Sequence, residues 1–417
     1  MRVLHLILSG TALAVATPAS ADTVTDWWET AHRYWLAGQG APGPRSPDSE
    51  RAATRATLAI FEAVNVIDRR SHSYLNLPQG DRAASQDAAA ATAAYRVLVK
   101  HYPANKAALE ESYTLSMAQI GGGAAVEAGK AIGEQAAEAA MGAGGVDPAI
   151  RPQPYRPRTV PGEWVATALP SLDSYWTTMK PWVVSSPDAL RPLPPPPLSS
   201  ERFARDYEEV RRFGGKDSKE RTPMQTLVAR YRQAFDILPS VRRATDMPGR
   251  SQVENARFLA LYQMANDDST QAMVVAKQHY DYWRPITAIR NGDKDGNPAT
   301  QPDPAWMPLI ATPNFQEYPC GHCTLAGSIA EVMERESGWK LGQGVRVGSL
   351  INATSVVQVL PNWKSWAQEV SDSRLYGGVH YRFSNEAGEE IGGKAARMVI
   401  ERALLPLKRG GNSRKGR

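Results

Sequence analysis

Cysteine is nearly missing from this chain: 417 residues hold two, Cys320 and Cys323. One pair three residues apart cannot supply the disulfide framework that staples small exported domains. An excess of one charge is missing as well, with 48 Lys and Arg against 43 Asp and Glu. The last ten residues, Lys408 to Arg417, carry five of the basic groups and no acid. A nucleic-acid protein would show a basic body rather than a basic tail, so no nucleic-acid partner is expected. Long apolar runs are confined to Val3 to Ala16, shorter than the roughly 20 residues that span a bilayer. That run follows Arg2 and precedes Ala19-Ser20-Ala21, which reads as an export signal (residues 1–21) cleaved after Ala21, with a periplasmic or secreted product. No later stretch reaches spanning length without charges or prolines, and no membrane span is expected.

What is present is enough apolar material for a sizeable core, at 42% hydrophobic residues. From residue 22 to 150 the pattern is helical: Ala56, Leu58, Ile60, Phe61, Val64 and Ile67 recur at three- and four-residue intervals, and an Ala-rich stretch follows. Trp27, Trp28, Tyr34 and Trp35 have helical spacing and read as core. Residues 151 to 197 hold 12 of the 31 prolines. Repeated proline removes backbone donors, so a segment from 151 to 221 is expected to run as an ordered, extended crossover. Helix is expected to resume at Thr222-Pro223-Met224-Gln225, a capping box with Pro at the first helical position. Further helices are expected near 223–237, 251–267, 270–284, 323–337, 343–359, 362–376 and 386–404. The expected fold class is all-α, built of helical bundles, with residues 222–407 forming a C-terminal helical region and 408–417 a basic tail.

Three stretches of the C-terminal half concentrate cations and histidines. In the first, Lys277 and Arg284 are seven residues apart, which would put them on one helix face about 10 Å apart along its axis, ahead of Pro285. Such a pair can clamp a small anion. In the second, Tyr318-Pro319-Cys320-Gly321-His322-Cys323 reads as a tight turn leading into a helix, whose free N–H groups suit an oxyanion. His322 at that rim can exchange a proton. In the third, Ser373-Arg374 precedes Gly377-Gly378 and His380, and the glycines permit close backbone approach.

Lys277-x6-Arg284-Pro285, Pro319-Cys320-Gly321-His322 and Ser373-Arg374-x5-His380, in that order, resemble the tripartite signature of vanadium-dependent haloperoxidases and the type-2 phosphatidic acid phosphatase superfamily. That signature is Lys-x6-Arg-Pro, Pro-Ser-Gly-His and Ser-Arg-x3-Gly-x-His. Phe61-Glu62-Ala63-Val64-Asn65-Val66-Ile67-Asp68 and Arg221-Thr222-Pro223-Met224-Gln225 extend the resemblance to the bacterial haloperoxidase-related branch over most of the chain. The resemblance implies that Lys277, Arg284, Arg374, the Gly321 N–H and the residue at Cys320 hold the oxygens of vanadate or phosphate. His380 would bind vanadium or attack phosphorus, and His322 would be the acid–base group. It implies vanadate as cofactor with hydrogen peroxide and halide as substrates, or no cofactor and a phosphomonoester. Phe315 lies where chloride-oxidising members also tend to have Phe.

Two positions depart from that pattern. Cys320 replaces a serine, and a thiol is the weaker donor. Ser384 stands where many members carry an aspartate that accepts from the other ring nitrogen of the histidine. Ser384 equally reads as the N-cap of a helix starting near Asn385. Cys320 and Cys323 also read as a redox pair. The expected activity is a haloperoxidase; a soluble exported acid phosphatase working through phosphohistidine at His380 is the alternative. An inactive or redox-modulated oxyanion-binding protein is the third reading. Nothing in the sequence fixes the oligomeric state.

Overall fold

The computed structural model describes residues 22–39, 47–146, 155–167, 175–338, 344–349 and 358–408. The export signal therefore lies outside the described residues, as does all of the basic tail after Lys408. Five helices form the N-terminal part: α1 Thr23–Gln39, α2 Pro47–Ile67, α3 Gln86–His101, α4 Lys106–Ile120 and α5 Ala124–Met141. Eight more follow: α6 Glu201–Gly214, α7 Pro223–Tyr231, α8 Leu238–Thr245, α9 Gln252–Tyr280, α10 Pro285–Arg290, α11 Gly321–Glu336, α12 Trp363–Tyr376 and α13 Arg382–Arg402. The all-α expectation holds, and no described helix is long and apolar enough to cross a membrane.

The central element is α9. The sequence pattern suggested two helices over 251–284, but a capping box of Ser251 and Glu254 starts a single 29-residue helix that ends where Asp281 turns left-handed, at φ 44°. It is buried nearly all round, with Val253, Phe258, Leu259, Leu261, Met264 and Ala272 in the core, as befits a helix with neighbours on every side. Helices α1 and α2 pack on one flank and α11 and α13 on the other, so α9 is a wall shared by two bundles. Trp27 and Trp28 are both buried in the N-terminal one, as their spacing suggested.

Two expectations need correction. The described residues of the segment 343–359 are strand rather than helix: β2 (Val345–Ser349) pairs antiparallel with β1 (Phe235–Asp236) and with β3 (Gln358–Leu360). Val345 and Val347 are buried two residues apart, a period-two signal that the helical reading of this stretch overlooked. Helix also resumes earlier than Thr222, since α6 begins after the Ser200 cap, whose hydroxyl accepts from Phe203 N. The capping box of Thr222 and Gln225 does open α7.

The proline-rich segment is tied to α9 by two adjacent carboxylates. Asp268 accepts the backbone N–H groups of Trp182, Val183 and Val184, at 2.7, 2.8 and 2.9 Å, while Asp267 accepts from the Trp182 indole at 2.8 Å. Farther on, the Tyr280 and Tyr318 hydroxyls donate to the carbonyls of Pro192 and Leu193. The crossover thus runs beside the stretch that carries Lys277 and Cys320. A second aromatic cluster, with Phe203, Tyr207, Tyr282, Tyr318, Tyr381 and Phe383, packs beneath it.

Candidate active site

Lys277 and Arg284 do come together, but not on one helix face. The left-handed Asp281 ends α9, and Pro285 makes Arg284 the N-cap of α10, so Arg284 lies on the turn between two helices. The carbonyls of the 315–317 stretch gather the two cations. Lys277 Nζ donates to Gln316 O at 2.9 Å and Glu317 O at 2.8 Å, and Arg284 Nε donates to Phe315 O at 2.9 Å. The Phe315 ring lies against both, 5.3 Å from Lys277 Nζ and 4.9 Å from Arg284 Cζ.

His380 follows α12 in the turn that Gly377 and Gly378 make possible. Gly378 has φ +77° and sits so close to Gly214 that a side chain would overlap the Gly214 carbonyl. Arg284 Nη1 donates to Val379 O at 2.9 Å and lies 3.0 Å from His380 Nε2. On the other side of the ring, Nδ1 is 2.8 Å from Glu317 Oε1. Arg374, in the last turn of α12, is 3% exposed and its Nε reaches Ser373 Oγ at 3.2 Å.

The cysteine turn differs from expectation. Cys320 and Cys323 form a disulfide, so Cys320 has no thiol to offer an oxyanion. Its sulfur instead caps α11 by accepting from Cys323 N at 3.2 Å. This single three-residue link joins no distant elements and leaves the fold without a disulfide framework. Gly321, the first residue of α11, lies against Met273 and the Lys277 side chain. His322 follows it, and its Nε2 is 3.0 Å from Gln233 O. A carbonyl can only accept, so Nε2 carries the proton and Nδ1 the lone pair. Ser384 is not an N-cap either: α13 starts at Arg382, and Ser384 sits buried in its first turn.

The charges are lopsided. Lys277, Arg284 and Arg374 are each at most 3% exposed, and Glu317 is fully buried beside them. Burial, then Arg284, brings Arg374 down to about 9, and burial brings Arg284 down to about 10. Lys277 is lowered well below its ordinary value by burial and by Arg284. Burial pushes the Glu317 carboxyl up to about 7, although Arg284 and Lys277 oppose the rise. Burial and then Arg374 bring His322 down to about 3, and His380 is lowered well below its ordinary value by burial and by Arg284 and Lys277. Nη2 of Arg284 and Nη2 of Arg374 are buried donors without an acceptor among the described residues. Unsatisfied cationic donors in excess over carboxylates are what an oxyanion would complete, so the donor set fits vanadate or phosphate.

Sequence reasoning did not single out Glu317 or Gln233. Glu317 carries no periodic signal; the clue available was an acid three residues before Cys320 in a chain whose Ser384 brings none.

The all-α fold, with two bundles sharing one helix, is similar to that of solved bacterial vanadium haloperoxidases. Residues 257–408 match the family described as the VCPO second helical-bundle domain. Through this bundle, a little over a third of the chain, the protein is similar to the vanadium haloperoxidases. A vanadium chloroperoxidase from Curvularia inaequalis is 30% identical over 105 residues, 22% of this chain and 17% of that protein, so the match spans under a fifth of that relative's length. A solved bacterial vanadium-dependent iodoperoxidase has the same fold, with a TM-score of 0.73 at 20% identity over 93% of this chain and 97% of its own. An apo-type bacterial vanadium-dependent chloroperoxidase gives a TM-score of 0.63 at 16% identity over 84% and 92%.

Proposed function

We propose that this protein is a vanadate-dependent haloperoxidase that oxidises halide with hydrogen peroxide. The observation that carries the reading is His380: its Nε2, the nitrogen that would bind vanadium, faces the Arg284 guanidinium inside a buried cage completed by Lys277 and Arg374. These three cations and the Gly321 N–H would hold the oxygens of the anion. Vanadate bound there would supply a Lewis-acidic centre that takes up peroxide and activates it toward halide. The chain's own work is then to bind the anion, exclude water and move a proton. Peroxide must lose protons, and a neutral His322 with its lone pair on Nδ1 can accept one.

A phosphomonoesterase is the second reading, because the same proton-free Nε2 can attack phosphorus. That reaction asks His322 to donate to the leaving oxygen; both readings pass through a charged His322, which burial and the nearby cations oppose, so the separation of the two rests on assay. Export from the cytoplasm is part of the proposal, supported by a disulfide that an oxidising compartment would keep. The test is to assay the purified protein, with and without orthovanadate, for peroxide-dependent bromination and iodination of a reporter and for hydrolysis of an aryl phosphate. Halogenation that requires vanadate is the expected result. Hydrolysis that vanadate inhibits, with no halogenation, would replace the lead by the phosphatase. Silence in both assays would leave a non-catalytic oxyanion-binding protein.

A further inference from the structure

We propose that Glu317 is the positioning residue for His380: it takes over, from the loop before α11, the hydrogen bond that an aspartate at position 384 would make from the histidine's own side. This rests on reading the cage as an oxyanion site. The argument is one of donors and acceptors at the two ends of a ring. Glu317 Oε1 lies 2.8 Å from His380 Nδ1 and also accepts the Tyr381 N–H at 3.1 Å. A backbone N–H can only donate, so Oε1 accepts it, and with the carboxyl ionised Nδ1 brings the proton. At the other end, Nε2 lies 3.0 Å from Arg284 Nη1, which also can only donate. Nε2 therefore presents its lone pair. Both ends fix the same tautomer, the one that keeps the lone pair on the nitrogen that has to meet the anion.

The neighbouring side chain explains why the acid stands at 317. Ser384 is fully buried, and its hydroxyl lies beside the Glu317 carboxyl, where it helps to hold the ionised form. An aspartate there would bring a second carboxylate against Glu317, and two buried like charges oppose each other. Glu317 paired with Ser384, and a small residue at 317 paired with an aspartate at 384, are thus alternative ways to put one carboxylate on Nδ1. Arg284 and Lys277 then balance that carboxylate from the anion side, which leaves the cage with a net positive charge.

The experiment uses the full chain without vanadate. Histidine ¹⁵N resonances report the His380 tautomer, and calorimetry with inorganic phosphate reports cage affinity. Wild type is expected to show a protonated Nδ1 and an unprotonated Nε2. Glu317→Ala should mix the tautomers and weaken phosphate binding at least tenfold. Adding Ser384→Asp to that variant should restore the tautomer and most of the affinity, a recovery that a merely structural role for Glu317 would not give. Glu317→Gln, which keeps the accepting oxygen and nearly the same volume, should keep the tautomer and serves if Glu317→Ala does not fold. A Glu317→Ala protein with wild-type tautomer and affinity, a Glu317→Gln protein with the other tautomer, or a folded double variant without recovery would each overturn the proposal. A wild type with the expected tautomer but no affinity for phosphate or vanadate would overturn the oxyanion reading instead. Normal anion binding and tautomer without halogenation would count only against the haloperoxidase.

Discussion

Arg284 Nη1 lies 3.0 Å from His380 Nε2, so a guanidinium occupies the approach to the nitrogen on which the proposed chemistry depends. It is held there by the carbonyls of Phe315 and Val379 and by the Phe315 ring, while its Nη2 has no acceptor among the described residues. A lysine could keep the charge but could not bridge both carbonyls and still reach the anion. Arg284→Lys is expected to weaken phosphate and vanadate binding by about a hundredfold, the loss of roughly two charge-assisted hydrogen bonds. Calorimetry on the folded variant checks this; affinity within threefold of wild type would remove Arg284 from the cage.

His322 stands apart from the anchoring groups, because its Nε2 is engaged by Gln233 O and its other nitrogen carries the lone pair. If it moves the proton rather than binds the anion, His322→Ala should lower kcat by about a hundredfold or more while leaving phosphate affinity nearly unchanged. Stopped-flow halogenation and calorimetry on the same preparation separate the two quantities. A loss of affinity equal to the loss of rate would make His322 an anion ligand instead.

Much of this site is legible as spacing, because its motifs are local. Lys277, Arg284, Arg374 and His380 can be named from three short stretches, and the structure gathers Lys277, Arg284 and His380 around one segment, 315–317. That segment was opaque for a physical reason: it works through backbone carbonyls and one lone acid, and neither leaves a periodic trace. Helix α9 reads as two in the sequence because its burial on all sides erases the amphipathic period that marks a surface helix. The strands β2 and β3 were read as helix because they are short and half-buried, and length is what separates a strand from a helix segment in an apolar stretch. Ser384 looked like a cap, but α13 starts two residues earlier.

The disulfide makes a prediction with a definite sign. Cys320 occupies the position of a serine in the related pattern, and as half of a disulfide it can cap α11 but cannot donate. Replacing both cysteines by serine would keep the cap and return a hydroxyl donor to the turn. Phosphate and vanadate should then bind more tightly by about 1 kcal/mol, the worth of one hydrogen bond. Unchanged or weaker binding in a protein of normal thermal stability would show that position 320 does not face the anion.

Acid should loosen α1 first. His32 stacks between Trp28 and Trp35, with centroids 5.3 and 5.7 Å away, and burial pulls it down to about 4. Its folded value lies below its ordinary 6.5, so the unfolded chain binds the proton more readily between these limits. The contribution to stability is complete above pH 6.5 and is lost as pH falls toward 4. Asp267, raised to about 6 by burial, works in the opposite direction, so the difference from a variant is the cleaner measure. Relative to His32→Gln, wild type should lose roughly 2 kcal/mol between pH 7 and 4, after allowance for the partial exposure of the ring. Denaturant titrations followed by tryptophan fluorescence give this difference, and parallel curves for the two proteins would refute it.

The contact between α11 and α13 is closed by glycines, and it fixes the cysteine turn in place. A methyl at Gly392 would overlap the Thr324 carbonyl oxygen, and one at Gly388 would overlap that of Cys320. In both cases the obstacle is backbone, which cannot swing aside as a side chain can. Gly392→Ala must therefore push the two helices apart, and Cys320, Gly321 and His322 move with α11. Overpacking of this kind costs about 1–3 kcal/mol or more, against a gain of about 1 kcal/mol in helix propensity. The expected result is a net loss of stability together with weaker phosphate binding. Ala396→Gly, in the same helix but leaving space rather than filling it, should cost stability and leave the anion affinity nearly unaltered. If Gly392→Ala proves as stable as wild type with its anion affinity intact, the two helices do not rest on each other as tightly as this structure has them.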